Sequence, residues 1–192
     1  FHLSGHYFER DYFDWNERRA GGKVGFGYGI NDVLSLNSKF SAENVDISDP
    51  RLPVTELLHS VGNHERYAGS VSLVYDTRDV PFAPSSGRYL ELEFEQVFGS
   101  FDYPRGKIDY RHYMLLAQRP DRSGRHILGL TWNGRITGSD TPIYDNLFAG
   151  GYATLRGFRF RHASPKVETV IVGGELSLTG SAEYYFPVTA DD

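Results

Sequence analysis

Apolar and polar residues alternate with a period of two along most of this chain. Between residues 90 and 95, for example, every second residue is apolar and each intervening residue is glutamate. The same alternation appears at residues 23–30, 34–43, 67–75, 107–116, 125–136 and 175–186. Alternation over roughly 8–12 residues is typical of β-strands that separate two environments. Helical spacing is found only at residues 54–60, so the sequence predicts an all-β fold.

The segments are long enough to cross a lipid bilayer as tilted strands, which need about 9–11 residues. Their connections also differ in length. Asn31 and Asp32 form a tight turn, whereas the next connection, within residues 46–66, is long and polar. Long loops on one side and short turns on the other are typical of outer-membrane barrels. A soluble barrel or sandwich would show the same alternation with its faces reversed, so the pattern favours an antiparallel transmembrane β-barrel and leaves a soluble domain open.

Composition removes several classes of protein. The 192 residues carry a net charge of −5 and contain no cysteine. The acidic balance argues against a nucleic-acid partner, because a nucleic-acid-binding surface is basic. The lack of cysteine excludes disulfides and thiolate metal sites. No apolar run approaches the ~18 residues of a transmembrane helix. The chain has the length of one domain or of part of a larger one.

Histidines and glutamates offer two weak candidates for chemistry. His2 and His6 would share a strand face, but no third metal ligand is evident. Glu91, Glu93 and Glu95 form a row of carboxylates. Glycoside hydrolases use carboxylates in pairs, yet a row along one strand is more typical of a polar barrel lumen. No Gly-x-Ser-x-Gly nucleophile motif occurs, so the sequence predicts no enzyme, no metal and no cofactor.

The segment from residue 75 to residue 87 predicts a firm turn. It contains Asp76, Arg78 and Asp79, followed by two prolines, two serines and Gly87. Proline and glycine favour defined turn geometries, and the charged side chains can brace the two strand ends. A solvated cluster of charges is the alternative interpretation.

A second segment combines a glycine pair with an arginine motif. Gly150 and Gly151 predict a turn. The tetrapeptide that follows consists of Leu155, Arg156, Gly157 and Phe158. A further Gly-Gly pair and a strand that ends in Phe-Pro come after it.

These segments resemble the BamA-type outer-membrane assembly and translocation superfamily, also called the bacterial surface antigen family. The hallmark of that family is an Arg-Gly-Phe/Tyr motif after a Gly-Gly turn, at the tip of a loop folded into the barrel lumen. Residues 155–158 are similar to this motif, and the turn at residues 75–87 is similar to the family's turn. The resemblance spans essentially the whole chain, although the loop at residues 161–172 is short for the family.

The resemblance implies that residues 1–192 are part of one transmembrane β-barrel domain, about ten strands of a larger barrel. The family's N-terminal POTRA repeats and its terminal barrel strands would lie outside this sequence. The implied location is the outer membrane of a Gram-negative-type bacterium. The implied partners are the lipid bilayer, unfolded outer-membrane protein substrates and, through the N-terminal region, periplasmic accessory lipoproteins.

The resemblance also implies a partner for Arg156, because the loop arginine of the family contacts acidic residues on the inner barrel wall. Counting by two along residues 173–187 places Glu183 on the polar face of its strand. We therefore expect Arg156 to pair with Glu183, through a bidentate and charge-assisted contact.

The function implied is insertion of β-barrel proteins into the outer membrane without nucleotide hydrolysis. A polypeptide secretion transporter of the same superfamily is one alternative. A soluble carbohydrate-binding or glycosidase-like β-domain is the other.

Overall fold

The computed structural model describes residues 1–121 and 123–188, and its regular structure is almost entirely β. The strands are β1 His2–Asp11, β2 Asn16–Gly29, β3 Leu34–Ser48, β4 Gly62–Asp76, β5 Gly87–Gly99, β6 Tyr103–Ala117, β7 His126–Thr137, β8 Lys166–Val167, β9 Val170–Ile171 and β10 Leu176–Tyr185. One helical turn, α1 Thr55–Leu58, and a 3₁₀ turn at Ile143–Asp145 complete the elements. Within the described range, no helix has the length and apolar character to span a membrane.

Eight of the ten strands form one antiparallel sheet, which confirms the all-β prediction. The described wall therefore has eight strands, where the sequence predicted about ten. Each strand from β1 to β7 pairs with its neighbour in sequence, and β7 then pairs with β10. The short strands β8 and β9 form a separate hairpin. In the part of the chain that the structure describes, the eight-stranded sheet is not closed, because β1 and β10 each lack a partner on one side. This is the geometry of a partial barrel wall.

The registers align the apolar residues of neighbouring strands on one face of the sheet. Leu92 on β5 lies opposite Leu73 on β4 and opposite Ile108 on β6. Leu92, Ile108 and Leu178 are 44%, 44% and 74% exposed. Further exposed apolar residues on this face include Leu36, Phe40, Val71, Phe94, Trp132, Ile136 and Leu176. A broad exposed apolar surface of this kind is typical of strands that face lipid.

The opposite face is polar, and other parts of the chain cover it at one end. Glu17 on β2 and Arg66 on β4 are 3% and 7% exposed. Ser70, Ser72 and Asp109 are buried on the same face. A soluble barrel would bury its apolar side chains and expose its charges. Here the apolar side chains are exposed and many of the polar ones are buried, so the apolar face of the strands points outward.

The hydrophobic core lies on the polar side of the sheet, at one end. We call residues 138–175, which connect β7 to β10, the luminal loop. Its residues pack against the end of β3, against α1 and against the connection between β1 and β2. The cluster consists of Trp15, Val45, Ile47, Val54, Leu57, Ile143, Tyr144, Val170 and Val172. The core therefore fastens the luminal loop to the inner wall.

The predicted alternation of long and short connections holds only in part. Residues 30–33 form a tight turn, in which the Asn31 side chain accepts backbone hydrogen bonds from Val33 and Leu34. Residues 49–61 form a long connection at the opposite end. However, the connection at residues 77–86, at the same end as the tight turn, is also long, and side-chain hydrogen bonds hold its shape. The luminal loop is longer than the expected residues 161–172.

Candidate functional site

Side chains from three wall strands contact Asp145 of the luminal loop. Its Oδ1 lies 3.1 Å from Arg19 Nη1 on β2, and its Oδ2 lies 2.6 Å from Arg66 Nε on β4. The Tyr103 hydroxyl on β6 donates a hydrogen bond to Oδ2 at 2.5 Å. Asp145 is 7% exposed. One buried carboxylate thus joins the loop to β2, β4 and β6.

Three glutamates of the inner wall extend this network. Glu17 Oε1 lies 2.6 Å from Arg19 Nε, and Glu95 Oε1 lies 3.0 Å from Arg66 Nη2. Glu43 Oε2 lies 3.6 Å from Arg19 Nη1. We call Asp145, its three wall partners and these glutamates the Asp145 cluster. Charge-assisted hydrogen bonds of this kind are about twice as strong as neutral ones, so the cluster positions the loop firmly.

The Asp145 cluster keeps its central carboxylate ionised. Burial alone would raise the pKa of Asp145, but the Arg66 and Arg19 guanidinium groups outweigh it and hold that pKa well below its usual range. The carboxylate therefore carries its charge throughout the physiological range. Anchoring of the luminal loop does not depend on pH near neutrality.

Arg161 forms a second attachment between the luminal loop and the wall. Its guanidinium carbon lies 3.8 Å from the ring centroid of Phe148 and 4.1 Å from that of Tyr12. Trp15 and Phe160 lie at 5.5 Å each. Arg161 Nη2 also donates a hydrogen bond to the Tyr12 hydroxyl at 3.2 Å. Cation–π contacts with several rings join the loop to the connection between β1 and β2.

The glycine pair shapes the tip of the luminal loop. Gly150 and Gly151 have φ values of 115° and 97°, which L-residues with a side chain rarely adopt. A Cβ on Gly150 would collide with the backbone carbonyl of Arg159. The Gly151 N–H donates to the carbonyl oxygen of Phe158 at 3.1 Å. The predicted turn is therefore present, and it folds the motif back on itself.

The motif residues lie at this tip and are largely exposed in the described part of the chain. Leu155 and Phe158 are 38% and 53% exposed, and Gly157 has a φ of 88°. Arg156 Nη1 lies 3.5 Å from Glu183 Oε1 on β10, and the guanidinium lies 5.1 Å from the ring centroid of Tyr152.

This contact differs in form from the bidentate pair expected from the sequence. Arg156 Nη1 and Glu183 Oε1 are 3.5 Å apart, and no hydrogen bond joins the two side chains in the described part of the chain. The other carboxylate oxygen of Glu183 accepts a hydrogen bond from the Tyr185 hydroxyl. The side chains of Arg156 and Glu183 are 67% and 39% exposed, so the structure places them together without burying them.

The predicted turn at residues 75–87 lies at the end of the sheet opposite the luminal loop. Arg78 donates two hydrogen bonds to the Asp76 carboxylate, from Nε at 2.9 Å and from Nη2 at 2.8 Å. Gly87 has a φ of 103°, and a Cβ there would collide with the Thr77 carbonyl. The Asp76–Arg78 pair thus braces the end of β4, and the Thr77 N–H, which donates to the Arg88 carbonyl oxygen at 2.8 Å, joins it to β5.

Asp79 closes the same turn from within. Burial would raise its pKa, but the Ser85 hydroxyl and the backbone N–H groups of Ser85, Ser86 and Val80 donate to the carboxylate and lower the pKa of Asp79 to about 2. The carboxylates of Asp76 and Asp79 therefore accept specific hydrogen bonds within the turn, which a merely solvated cluster of charges would not show.

The carboxylate row on β5 is occupied by ion pairs. Glu91 Oε2 and Glu93 Oε1 lie 2.7 Å and 2.9 Å from the Nζ atoms of Lys107 and Lys39. Glu95 belongs to the Asp145 cluster. A catalytic pair needs one carboxylic acid and one free carboxylate. The carboxylates of this row are instead engaged in ion pairs. His6 lies 3.9 Å from Glu43, and residues 1–121 and 123–188 contain no group of three metal-ligating side chains.

The sequence analysis missed both Asp145 and Arg161. The available signal was that Arg19 and Arg66 fall on the polar face of their strands, where buried arginines need acidic partners. Asp145 is separated from them by 126 and 79 residues. No local pattern links positions so far apart.

An open antiparallel sheet with an apolar outer face, a polar inner face and a loop anchored on the inner face defines the wall of an outer-membrane β-barrel. The domain model of the Omp85 superfamily matches residues 1–192, and the chain belongs to that superfamily. Its location is accordingly the outer membrane of a Gram-negative bacterium.

Two relatives show how the chain compares with known proteins. It is 21% identical over 170 residues to outer membrane protein assembly factor BamA of Nitratidesulfovibrio vulgaris, a match that covers 83% of this chain and 21% of that protein. Its fold is similar to the crystal structure of BamA from Haemophilus ducreyi lacking POTRA domains 1–3, with a TM-score of 0.81 and 15% sequence identity. That match covers 99% of this chain and 42% of the solved chain. The chain thus spans about a fifth of the length of the first relative.

Proposed function

We propose that this chain forms part of the barrel wall and the luminal loop of an outer-membrane assembly factor that inserts β-barrel proteins. Membership of the Omp85 superfamily and the similarity to BamA support this proposal. The observation that carries it is the buried Asp145 cluster, which fixes a loop to three wall strands. A loop fixed to the inner wall is typical of a plugged barrel and differs from the water-filled channel of a porin.

The proposed mechanism uses strand pairing and no nucleotide. An exposed strand edge offers unpaired N–H and C=O groups, and an extended segment of a second protein can add to it through main-chain hydrogen bonds. The factor would present such an edge at a seam formed by strands outside this sequence. The wall described here would stay rigid during insertion, because the luminal loop ties β2, β4 and β6 together.

The proposed partners follow from the same assignment. The apolar outer face would contact the acyl chains of the bilayer. Unfolded outer-membrane proteins would be the substrates, and POTRA repeats with periplasmic accessory lipoproteins would deliver them. Residues 1–192 would belong to a single transmembrane barrel domain.

A polypeptide secretion transporter of the same superfamily is the second candidate. The two functions differ in the final location of the substrate. An insertase leaves the substrate folded in the bilayer, whereas a transporter releases it on the other side of the membrane. The discriminating experiment places the complete protein in vesicles and adds an unfolded β-barrel substrate. Protease-resistant substrate that stays in the vesicle membrane supports insertion.

A matched pair of variants tests the role of the cluster in that assay. Asp145→Asn removes the central charge, whereas Asp140→Asn changes an exposed carboxylate of the same loop. We expect insertion to fall with the first variant and to be retained with the second. Release of the substrate into the vesicle interior would contradict the insertase proposal.

A further inference from the structure

A cavity of about 330 Å³ lies between the luminal loop and the inner wall. A water molecule occupies ~30 Å³, so the cavity has room for a small ligand. Strands β6, β7 and β10 form one side, and the glycine turn of the loop forms the other. The polar side chains that matter here are Arg105, Asn133, Arg135, Arg161, Ser177 and Thr179. Among the lining residues that the structure describes, three are arginines and none is acidic.

The wall arginines of this cavity lack full neutralisation. Arg135 on β7 lies opposite Lys107 on β6 and opposite Ser177 on β10. It makes no ion pair or side-chain hydrogen bond with any described residue. Lys107 is paired with Glu91 and adds a like charge beside it. Lys107 thus has an anionic partner, whereas Arg135 has none within ion-pair distance among the described residues, and like charges on adjacent strands are unfavourable.

Arg105 is only partly neutralised, because it shares its carboxylate. Its Nη1 lies 3.4 Å from Glu95 Oε1, and Arg66 Nη2 lies 3.0 Å from the same oxygen. Glu95 is therefore one acceptor for two guanidinium groups.

Arg161 supplies the loop side of the cavity. Aromatic rings hold its guanidinium in place, and Nη2 donates to Tyr12. Its Nη1 is buried and has no hydrogen-bond partner among the described residues. A buried N–H group without an acceptor is costly, and Arg161 lines the cavity, so an anion there would give its guanidinium a charged partner.

We propose that this cavity binds a phosphate group, held between Arg105, Arg135 and Arg161. Guanidinium groups suit phosphate because their N–H donors match two oxygens at once. Asn133, Ser177 and Thr179 present amide and hydroxyl donors around the same space. The group can belong to free phosphate or to a phosphate monoester such as a headgroup fragment.

The test is isothermal titration of the complete protein in neutral detergent, at constant ionic strength. The probes are inorganic phosphate and glycerol 3-phosphate. We expect saturable binding of at least one probe, with tighter binding of glycerol 3-phosphate if the natural ligand is an ester. Arg135→Gln changes an exposed side chain, so we expect the variant to fold. Loss of one charged donor should weaken binding roughly tenfold or more.

Arg125→Gln is the matched control, because Arg125 is exposed in the connection before β7, at the end of the sheet opposite the luminal loop. The affinity of the Arg125→Gln variant for the phosphate probes should stay within about twofold of that of the wild type. Arg161→Lys keeps the charge but loses the planar donor pair, and it should weaken binding as well. Absence of saturable binding, or equal losses for Arg135→Gln and Arg125→Gln, would overturn the phosphate site. The titration contains no insertion step, so it is independent of the proposed function.

Discussion

Replacing Asp145 with asparagine should loosen the luminal loop from the barrel wall. The substitution keeps the size of the side chain and one acceptor for the Tyr103 hydroxyl. It removes the negative charge that Arg19 and Arg66 share at 3.1 Å and 2.6 Å. Both guanidinium groups would remain in place with less compensation, which makes the variant more costly than loss of a single hydrogen bond.

The magnitude follows from the burial of the group. Breaking a buried ion pair by removing one partner costs about 3–5 kcal/mol. Arg66 keeps Glu95, and Arg19 keeps Glu17, so we expect a cost shifted below this range, about 2–4 kcal/mol. The exposed control, Asp140→Asn, should change the free energy of unfolding by less than about 0.5 kcal/mol.

The sign of the pH dependence is fixed by the direction of the pKa shift. The pKa of Asp145 is lowered in the folded state, so its stabilisation is fully present above the unfolded pKa of ~3.9 and is lost as pH falls through the lower folded value. The wild-type protein should therefore hold its loop equally well between about pH 5 and pH 8.

The first assay measures the temperature at which the barrel no longer migrates as a compact, folded species on a gel. The second measures protease cleavage within residues 149–163. Asp145→Asn should lower that temperature and expose the loop, and Asp140→Asn should do neither. In a double-mutant cycle, Arg66→Gln with Asp145→Asn should cost less than the sum of the single variants. Equal behaviour of the two aspartate variants, or strict additivity in the cycle, would refute the reasoning.

Three further predictions concern other surfaces. If Leu178 lies near the bilayer midplane, Leu178→Arg should destabilise the barrel by about 2–4 kcal/mol, whereas Thr179→Gln on the inner face should cost under ~1 kcal/mol. The measurement is the free energy of folding into vesicles, and equal losses for the two variants would contradict the lipid-facing assignment. Arg156→Ala should lower heat resistance on a gel by the equivalent of at most ~1 kcal/mol, because its 3.5 Å ion pair with Glu183 is exposed. A loss of several kcal/mol would contradict an exposed pair. Gly87→Ala should cost roughly 1–3 kcal/mol in a urea titration, since the backbone has a positive φ there; an unchanged midpoint would exclude that strain.

The wall of the barrel could be predicted from the sequence because its information is local. Alternation with period two locates β5, β6 and β7 and assigns each residue to one of two faces. The same counting placed Glu183 on the inner face, where the structure finds it near Arg156. One strand alone could not show which face points outward, since that depends on the curvature of the sheet and on the position of the luminal loop.

The inner attachments could not be predicted, because they join residues that are distant in sequence. Asp145 meets Arg19 and Arg66 only after the sheet has formed and the loop has folded onto its inner face. The ring cage of Arg161 likewise combines Tyr12, at the end of β1, with Phe148 of the loop. The long connection at residues 77–86 was recognisable as a turn, but its length broke the expected alternation of loops.

The most direct test of the lipid-facing assignment uses consecutive single cysteines on β10. The sequence contains no native cysteine, so residues 176–179 can be replaced one at a time in vesicles and treated with a water-soluble maleimide. Ser177→Cys and Thr179→Cys should react, whereas Leu176→Cys and Leu178→Cys should be shielded by lipid. Reaction in the opposite alternation, or equal reaction at all four positions, would contradict a barrel wall with a polar lumen.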